Sequence, residues 1–195
     1  MRIIAGDFHG RRLKSPAGNR TRPTLSRVRE ALFNILAPHL LSARFLDLYA
    51  GAGTIGLEAL SRGCSRAVFV EGDAHICRVL RDNVERLDPK GERAEVIQGD
   101  AVAVARRLGQ RSERFHIIFL DPPYHRSETE RWTMEKSLAG LLAPNGIAVL
   151  QHDRKWAAPE AWAGCRKYRS RDYGSTTLSF FQADPTGPRA GGEQS

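Results

Sequence analysis

Short apolar runs alternate with longer amphipathic stretches from Arg44 to Leu150, and this rhythm narrows the possible folds more than any other property of the chain. The runs are Phe45-Leu46-Asp47-Leu48-Tyr49, Ala67-Val68-Phe69-Val70-Glu71, Ala94-Glu95-Val96-Ile97, residues 115–120 and Ile147-Ala148-Val149-Leu150. Each has strand length, and most are rich in β-branched or aromatic residues. Helices are expected between them, over Gly53 to Arg62, Asp73 to Leu87, Asp100 to about Gly109, and near 129–142. Strands joined by helices run parallel, with the helices on both faces of the sheet. Two further strands, near 165–172 and 176–182, are separated by little more than Gly174-Ser175 and so pair as an antiparallel hairpin. The expected class is α/β, with a doubly wound, mostly parallel sheet and a C-terminal hairpin.

Upstream, Met1 to Lys14 reads as two short strands around a turn at His9-Gly10, and Pro16 to Pro23 as a loop. Thr24 or Ser26 caps the next helix, whose Val28, Leu32, Phe33, Ile35 and Leu36 share one face and which Pro38 ends. The chain therefore divides into a short N-terminal β-hairpin/helix extension over 1–43, an α/β domain over 44–183, and a polar, Pro- and Gly-containing tail over 184–195 expected to be disordered.

Charge separates the first of these from the second. Net charge is +8, and residues 1–44 carry nine Lys or Arg against two acids, a balance of +7. The 21 basic and 20 acidic residues that follow leave only +1. A basic segment on a nearly neutral body points to a phosphate-rich partner, with Arg11, Arg12, Arg20 and Arg22 as candidate contacts. Arg outnumbers Lys, which suits bidentate phosphate contacts and base stacking. No apolar run approaches membrane-spanning length, and the first residues have no signal-peptide core. Cys64, Cys77 and Cys165 show no CxxC spacing, and the histidines are scattered. Neither a disulfide framework nor a metal site is expected; the cysteines read as small core residues in a reducing cytoplasm.

The first strand runs into Gly51-Ala52-Gly53-Thr54-Ile55-Gly56, a G-x-G-x-x-G between strand and helix. Its glycines allow a sharp turn and close approach to a ligand. Glu71 follows Gly51 by 20 residues at the end of the second strand, where a carboxylate takes the hydroxyls of a ribose. Asp100, after the third strand, is placed to accept from an adenine amino group. These features alone fit a nicotinamide oxidoreductase as well. Asp47 favours S-adenosylmethionine instead, because a carboxylate four residues before the glycines crowds a pyrophosphate but suits a cationic amino-acid end.

The fourth strand ends in Asp121-Pro122-Pro123-Tyr124. An exocyclic amine on a base is a poor nucleophile, since its lone pair is delocalised into the ring. The Asp121 carboxylate and the Pro122 carbonyl form an acceptor pair for both amine hydrogens. Pro123 stiffens the turn, and Tyr124 offers a face for the base.

Arg2-Ile3-Ile4-Ala5-Gly6 with Gly10-Arg11-Arg12-Leu13, Arg22-Pro23-Thr24 with Val28-Arg29-Glu30-Ala31-Leu32-Phe33-Asn34, Asp47 to Gly53 with Gly56 to Gly63, Val70-Glu71, Asp121 to Tyr124 and Tyr173-Gly174 together resemble the bacterial 16S rRNA (guanine-N2)-methyltransferase D family, within the class I methyltransferases. The resemblance spans about residues 1–182. It implies a Rossmann-like seven-stranded sheet, and S-adenosylmethionine held by Asp47, Ala50, Gly51, Gly53, Glu71, Asp100 and Ala101. It implies Asp121, Pro122 and Tyr124 at the target guanine, the basic extension on 16S rRNA, naked or within a small-subunit particle, and a monomer that needs no metal or membrane. Two departures stand out. Thr54-Ile55 replaces a more usual loop pairing, and Leu150-Gln151-His152 ends the fifth strand where the family pattern has a glutamate, so no carboxylate role is carried over there. The rival readings are an amino-methyltransferase of DNA, other RNA or protein glutamine, the oxidoreductase, and an RNA-binding module without catalysis. His125, Trp132, Trp156, Trp162 and the basic stretch Arg166 to Arg171 serve either RNA contact or plain packing and solvation.

Overall fold

A computed structural model describes residues 1–16, 26–122, 134–138 and 140–183. The elements are α1 (Ser26–Leu36), β1 (Arg44–Leu48), α2 (Thr54–Ser61), β2 (Arg66–Glu71), α3 (Ala74–Leu87), β3 (Ala94–Gln98), α4 (Ala101–Gln110), β4 (Phe115–Leu120), β5 (Leu142–Asp153), β6 (Ala161–Trp162), β7 (Cys165–Tyr173) and β8 (Thr176–Ala183). Residues 134–138 are helical. One sheet holds all eight strands in the order β3-β2-β1-β4-β5-β8-β7-β6. Strands β1 to β5 are parallel, and β8, β7 and β6 join antiparallel.

The parallel strands are buried on both faces because their apolar residues alternate between two cores. Phe45, Phe69, Phe119, Val149 and Phe180 meet α1, α2 and α3 on one face. Leu46, Val68, Ile118, Leu150 and Phe181 meet α4 and the segment around Met134 and Leu138 on the other. Polar residues fix the helix starts. Asp73 accepts from the His75 and Ile76 amides before α3, and Asp100 from the Ala103 amide before α4.

The expected elements appear, with three differences. Strand β5 begins at Leu142 rather than Ile147 and runs to Asp153, because its pairing with β4 shifts between Phe115 and Ile117 and so absorbs Pro144-Asn145-Gly146. The helix expected near 129–142 therefore cannot extend to Leu142. An eighth strand, β6, adds to the seven expected; two residues are too few to show a period. The N-terminal strands reduce to a single antiparallel bridge, Arg2 with Arg12. Thr24 and the polar tail lie outside the described residues, and Ser26 is the first described residue of α1.

The N-terminal segment is seated on the body through α2, whose eight residues are all buried. Ile3 and Leu13 enter the core. Ile4 N and Ala5 N donate to the two oxygens of Glu58 at 2.8 and 3.0 Å, and Phe8 N donates to Ser61 Oγ at 2.9 Å. At Gly6 (φ +83°) an added Cβ would sit 1.7 Å from the Ser61 carbonyl oxygen, so only glycine lets the segment lie this close. Glu58 itself is 0% exposed and also pairs with Arg62 Nε at 2.8 Å and Arg29 Nε at 3.8 Å. Arg29, counted above with the basic extension, is buried and donates to the Arg2 carbonyl; it faces inward rather than toward a phosphate partner.

Glu58→Ala would take the carboxylate from the buried Arg29 and the half-buried Arg62, and the acceptors from two half-buried amides. Breaking a buried pair of this kind costs about 3–5 kcal/mol, and urea unfolding should show a loss of that size. A loss below about 1 kcal/mol would mean that this cluster does not anchor the segment.

Candidate active site at the strand ends

Strand register brings the predicted residues together. Leu48 lies level with Val70 on one side and with Leu120 on the other. Glu71 closes β2, Tyr49 and Asp121 are the residues next after β1 and β4, and Glu71 and Asp121 both lie near enough to the buried Asp47 of β1 to act on its charge. The strand order reverses between β1 and β4, because the chain passes from β3 back across β2 and β1. Open α/β sheets bind ligands in the crevice at this reversal.

The loop after β1 is tightly held. Ala50 N donates to the Val70 carbonyl at 2.9 Å, Gly53 N to the Ala50 carbonyl at 2.8 Å, and Asn83 Nδ2 to the Ala52 carbonyl at 3.0 Å. Tyr49 takes a left-handed backbone, φ 66°, a strained choice for a non-glycine residue that is concentrated at functional sites. Gly53 (φ +83°) holds a left-handed backbone that strains other residues, and a Cβ there would press on Leu80 Cδ1 at 2.4 Å. Gly51 (φ +56°) is the opposite case: a Cβ there would meet nothing within 4 Å. The backbone at Gly51 is thus presented to open space, as a loop that receives a ligand requires.

Glu71 braces this loop. Its Oε2 accepts from Gly51 N at 2.9 Å and its Oε1 from Asp73 N at 2.8 Å. A carboxylate has about four lone-pair sites, so each oxygen retains one for a ligand hydroxyl. Asp47 is 1% exposed, and its Oδ2 accepts from Gly56 N at 2.9 Å. Burial, reinforced by the nearby charges of Asp121 and Glu71, pushes its carboxyl up to about 8, against the opposing pull of the Gly56 amide. A buried acid of this kind is primed to receive a cationic group, which would favour its charged form. Asp100 is exposed beside the same strand ends, with Oδ1 engaged by the Ala103 amide, and Ala101 is buried behind it. An open loop, a ribose-type acceptor and a buried acid for a cation together fit S-adenosylmethionine.

Pro122 is half-buried after Asp121, whereas Pro123, Tyr124, His125 and Trp132 lie outside the described residues. Arg11 and Arg12 are exposed; Arg20 and Arg22 lie outside the described residues. Trp162 packs on Phe181 and Trp156 stands edge-on to His152, so both serve the core or its margin. All three cysteines are buried, and burial pushes the Cys64 thiol up to about 12. Among the described residues no helix is long and apolar enough to cross a membrane. Glu58 and Asn83, the polar anchors behind the loop, escaped the sequence reading. Glu58 with Arg62 has the spacing of an ordinary surface pair, and Asn83 has no local signal at all.

The family model described as conserved hypothetical protein 95 matches residues 1–182. The candidate rRNA methyltransferase YlbH of Bacillus subtilis is 35% identical over 182 residues, covering 93% of this chain and 98% of its own. Ribosomal RNA small subunit methyltransferase D of Escherichia coli is 33% identical over 187 residues, covering 96% and 92%. Among solved structures, the candidate methyltransferase yhhF from Escherichia coli superposes with a TM-score of 0.82 at 33% identity, covering 95% of this chain and 98% of its own.

The raised pKa of Asp47 has a signed consequence. A carboxyl held at about 8 in the fold and at its ordinary 3.8 when unfolded stabilises the fold most below pH 4, and that contribution is lost as pH rises toward 8. His152, lowered by burial, acts in the opposite direction below its ordinary value. The difference between wild type and Asp47→Asn isolates the first effect. In urea titrations without cofactor, wild type should lose stability relative to Asp47→Asn between pH 5 and pH 8; parallel curves would contradict the assignment.

Proposed function

The chain belongs to the conserved hypothetical protein 95 family, and from this membership we propose that it is the S-adenosylmethionine-dependent methyltransferase of the exocyclic N2 amine of a guanine in small-subunit 16S rRNA. The observation that carries this reading is the meeting of Glu71 and Asp121, at the ends of β2 and β4, with the buried Asp47 of β1 at the sheet reversal, beside the open backbone of Gly51. The names borne by the relatives support rRNA as the substrate.

S-adenosylmethionine supplies, when bound, a methyl group already activated on a sulfonium sulfur, so no metal is needed. Glu71 would hold its ribose, Asp47 its cationic amino-acid end, Asp100 its adenine amine, and the backbone at Ala50, Gly51, Gly53 and Ala101 would line it. Asp121 accepts a hydrogen of the guanine amine, the Pro122 carbonyl accepts the other, and the Tyr124 ring stacks on the base. The base enters flipped or unpaired, because a stacked guanine hides its amine from an enclosed pocket. Alignment of amine and methyl does most of the catalytic work. The Asp121 bond strengthens as the nitrogen gains positive character, so it favours the transition state over binding. The exposed Arg11 and Arg12, with Arg20 and Arg22, contact the RNA backbone. The enzyme works as a monomer in the cytoplasm, on naked 16S rRNA or a small-subunit particle.

Two substitutions test the site. Asp121→Ala should lower single-turnover methyl transfer about 100-fold or more while RNA and cofactor affinities stay within a few fold; near-normal transfer would remove Asp121 from the mechanism. Glu71→Ala should weaken S-adenosylmethionine binding by about 1.5–3 kcal/mol, measured by calorimetry on a variant whose unfolding is checked in parallel. Unchanged affinity in a folded variant would overturn the ribose role.

A further inference from the structure

Strand β7 carries Arg166, Lys167, Arg169 and Arg171 against one acid, Asp172. That acid is already balanced: Arg154 Nε lies 3.2 Å from it, and Thr177 Oγ1 donates to it at 2.6 Å. Lys167 is likewise engaged, with Glu160 at 2.6 Å and the Ala158 carbonyl at 2.8 Å. Arg166, Arg169 and Arg171 are all exposed, and among the described residues none of them meets a carboxylate at ion-pair distance.

Three arginines at positions 166, 169 and 171 of a regular strand would not share a face, because the side-chain period is two. Here they do. The pairing of β7 with β8 shifts between Lys167 and Arg169, inserting Tyr168 as the extra residue. Arg166 then pairs with Gln182, Arg169 with Phe180 and Arg171 with Leu178, and these partners lie opposite Ile147, Val149 and Gln151 of β5. Ile147, Val149, Phe180 and Leu178 all belong to the core layer that also takes in Ile3 and Leu13. The three arginines therefore lie on the same side of the sheet as the basic N-terminal segment. Tyr168, 44% exposed, tilts over Phe180 among them at 6.2 Å. Bulges of this kind re-aim side chains next to active sites.

The register also fixes the height of the strip. Leu120 pairs with Leu150, Leu150 with Ser179 and Ser179 with Ser170, so the last row of β4 reaches β7 at the residue before Arg171. Arg171 and Asp121 each follow that row by one residue, three strands apart, or about 14 Å at the usual strand spacing. An RNA strand whose base occupies the Asp121 site passes this distance within a few nucleotides. We propose that Arg166, Tyr168, Arg169 and Arg171 form a second RNA-binding strip that takes the phosphates and one base of the strand flanking the target guanine. The inference rests on the functional reading above and extends it to the opposite end of the sheet from Glu71. Basic residues on an edge strand also discourage strand-to-strand aggregation, and that simpler role makes a different prediction.

The test uses the full chain with protein-free 16S rRNA and with small-subunit particles, both taken from cells lacking the enzyme. The Arg166→Gln, Arg169→Gln, Arg171→Gln triple variant should reduce the slope of log affinity against log salt by about 2, at roughly 0.7 per lost single-strand phosphate contact. KM for RNA should rise with kcat and cofactor affinity unchanged. The triple lysine variant should keep most of the wild-type slope, which a loss caused by misfolding would not. Tyr168→Ala should weaken RNA binding about tenfold and Tyr168→Phe should not. Wild-type methyl transfer is the control for the underlying reading. If wild type methylates the RNA and the glutamine variant matches it in salt slope and KM, the strip is a solvated edge and the inference fails alone. If wild type transfers no methyl to either RNA probe, the functional reading fails and the inference falls with it.

Discussion

Helix α2 is pinned by two acidic side chains that water hardly reaches, and the site is built on that helix. Glu58 gathers the Ile4 and Ala5 amides and two arginines, fastening the N-terminal segment and α1 against it. Asp47, under the first turn, accepts the Gly56 amide and so sets the height at which the loop leaves β1. A buried ionic group stabilises only when its remaining hydrogen-bonding positions are filled, and Glu58 meets that condition through backbone amides as well as cations. The loop before the helix is held by these contacts and by Glu71, and Gly51 opens onto free space in it.

The same economy explains how one set of residues serves both architecture and chemistry. Glu71 holds the loop by bonding Gly51 and Asp73, and it does so with the same two oxygens that we propose take the ribose hydroxyls. Asp100 starts α4 and stands beside the same strand ends. Asp47 supports α2 and presents a carboxyl whose proton a neighbouring cation would displace. The parallel register supplies the rest, since strands in step bring residues far apart in the chain into one row.

Much of this was readable in advance. The parallel strands announce themselves because burial on both faces makes them nearly continuous apolar runs. The acids at their ends are conspicuous because each follows such a run. What stayed hidden is polar or irregular. Glu58 finds its amide partners 54 and 53 positions away, and no local pattern reports so distant a donor. Arg29 looks like one more member of a basic extension until the fold encloses it. Strand β5 starts five residues before the apolar run at Ile147, because its pairing with β4 skips the residues between Leu142 and Ile147. Tyr168 looks like part of an ordinary alternation, although one extra residue there reverses the face of everything before it.

In the function proposed for this chain, these strand ends deliver one methyl group to the N2 amine of a guanine. The most direct measurement is mass mapping of 16S rRNA from cells lacking the enzyme, after incubation with the purified chain and S-adenosylmethionine. A single added methyl group on one guanine fragment is expected, with the nucleoside identified as N2-methylguanosine. Methylation of an adenine, or of a ring carbon or ribose oxygen, would contradict it.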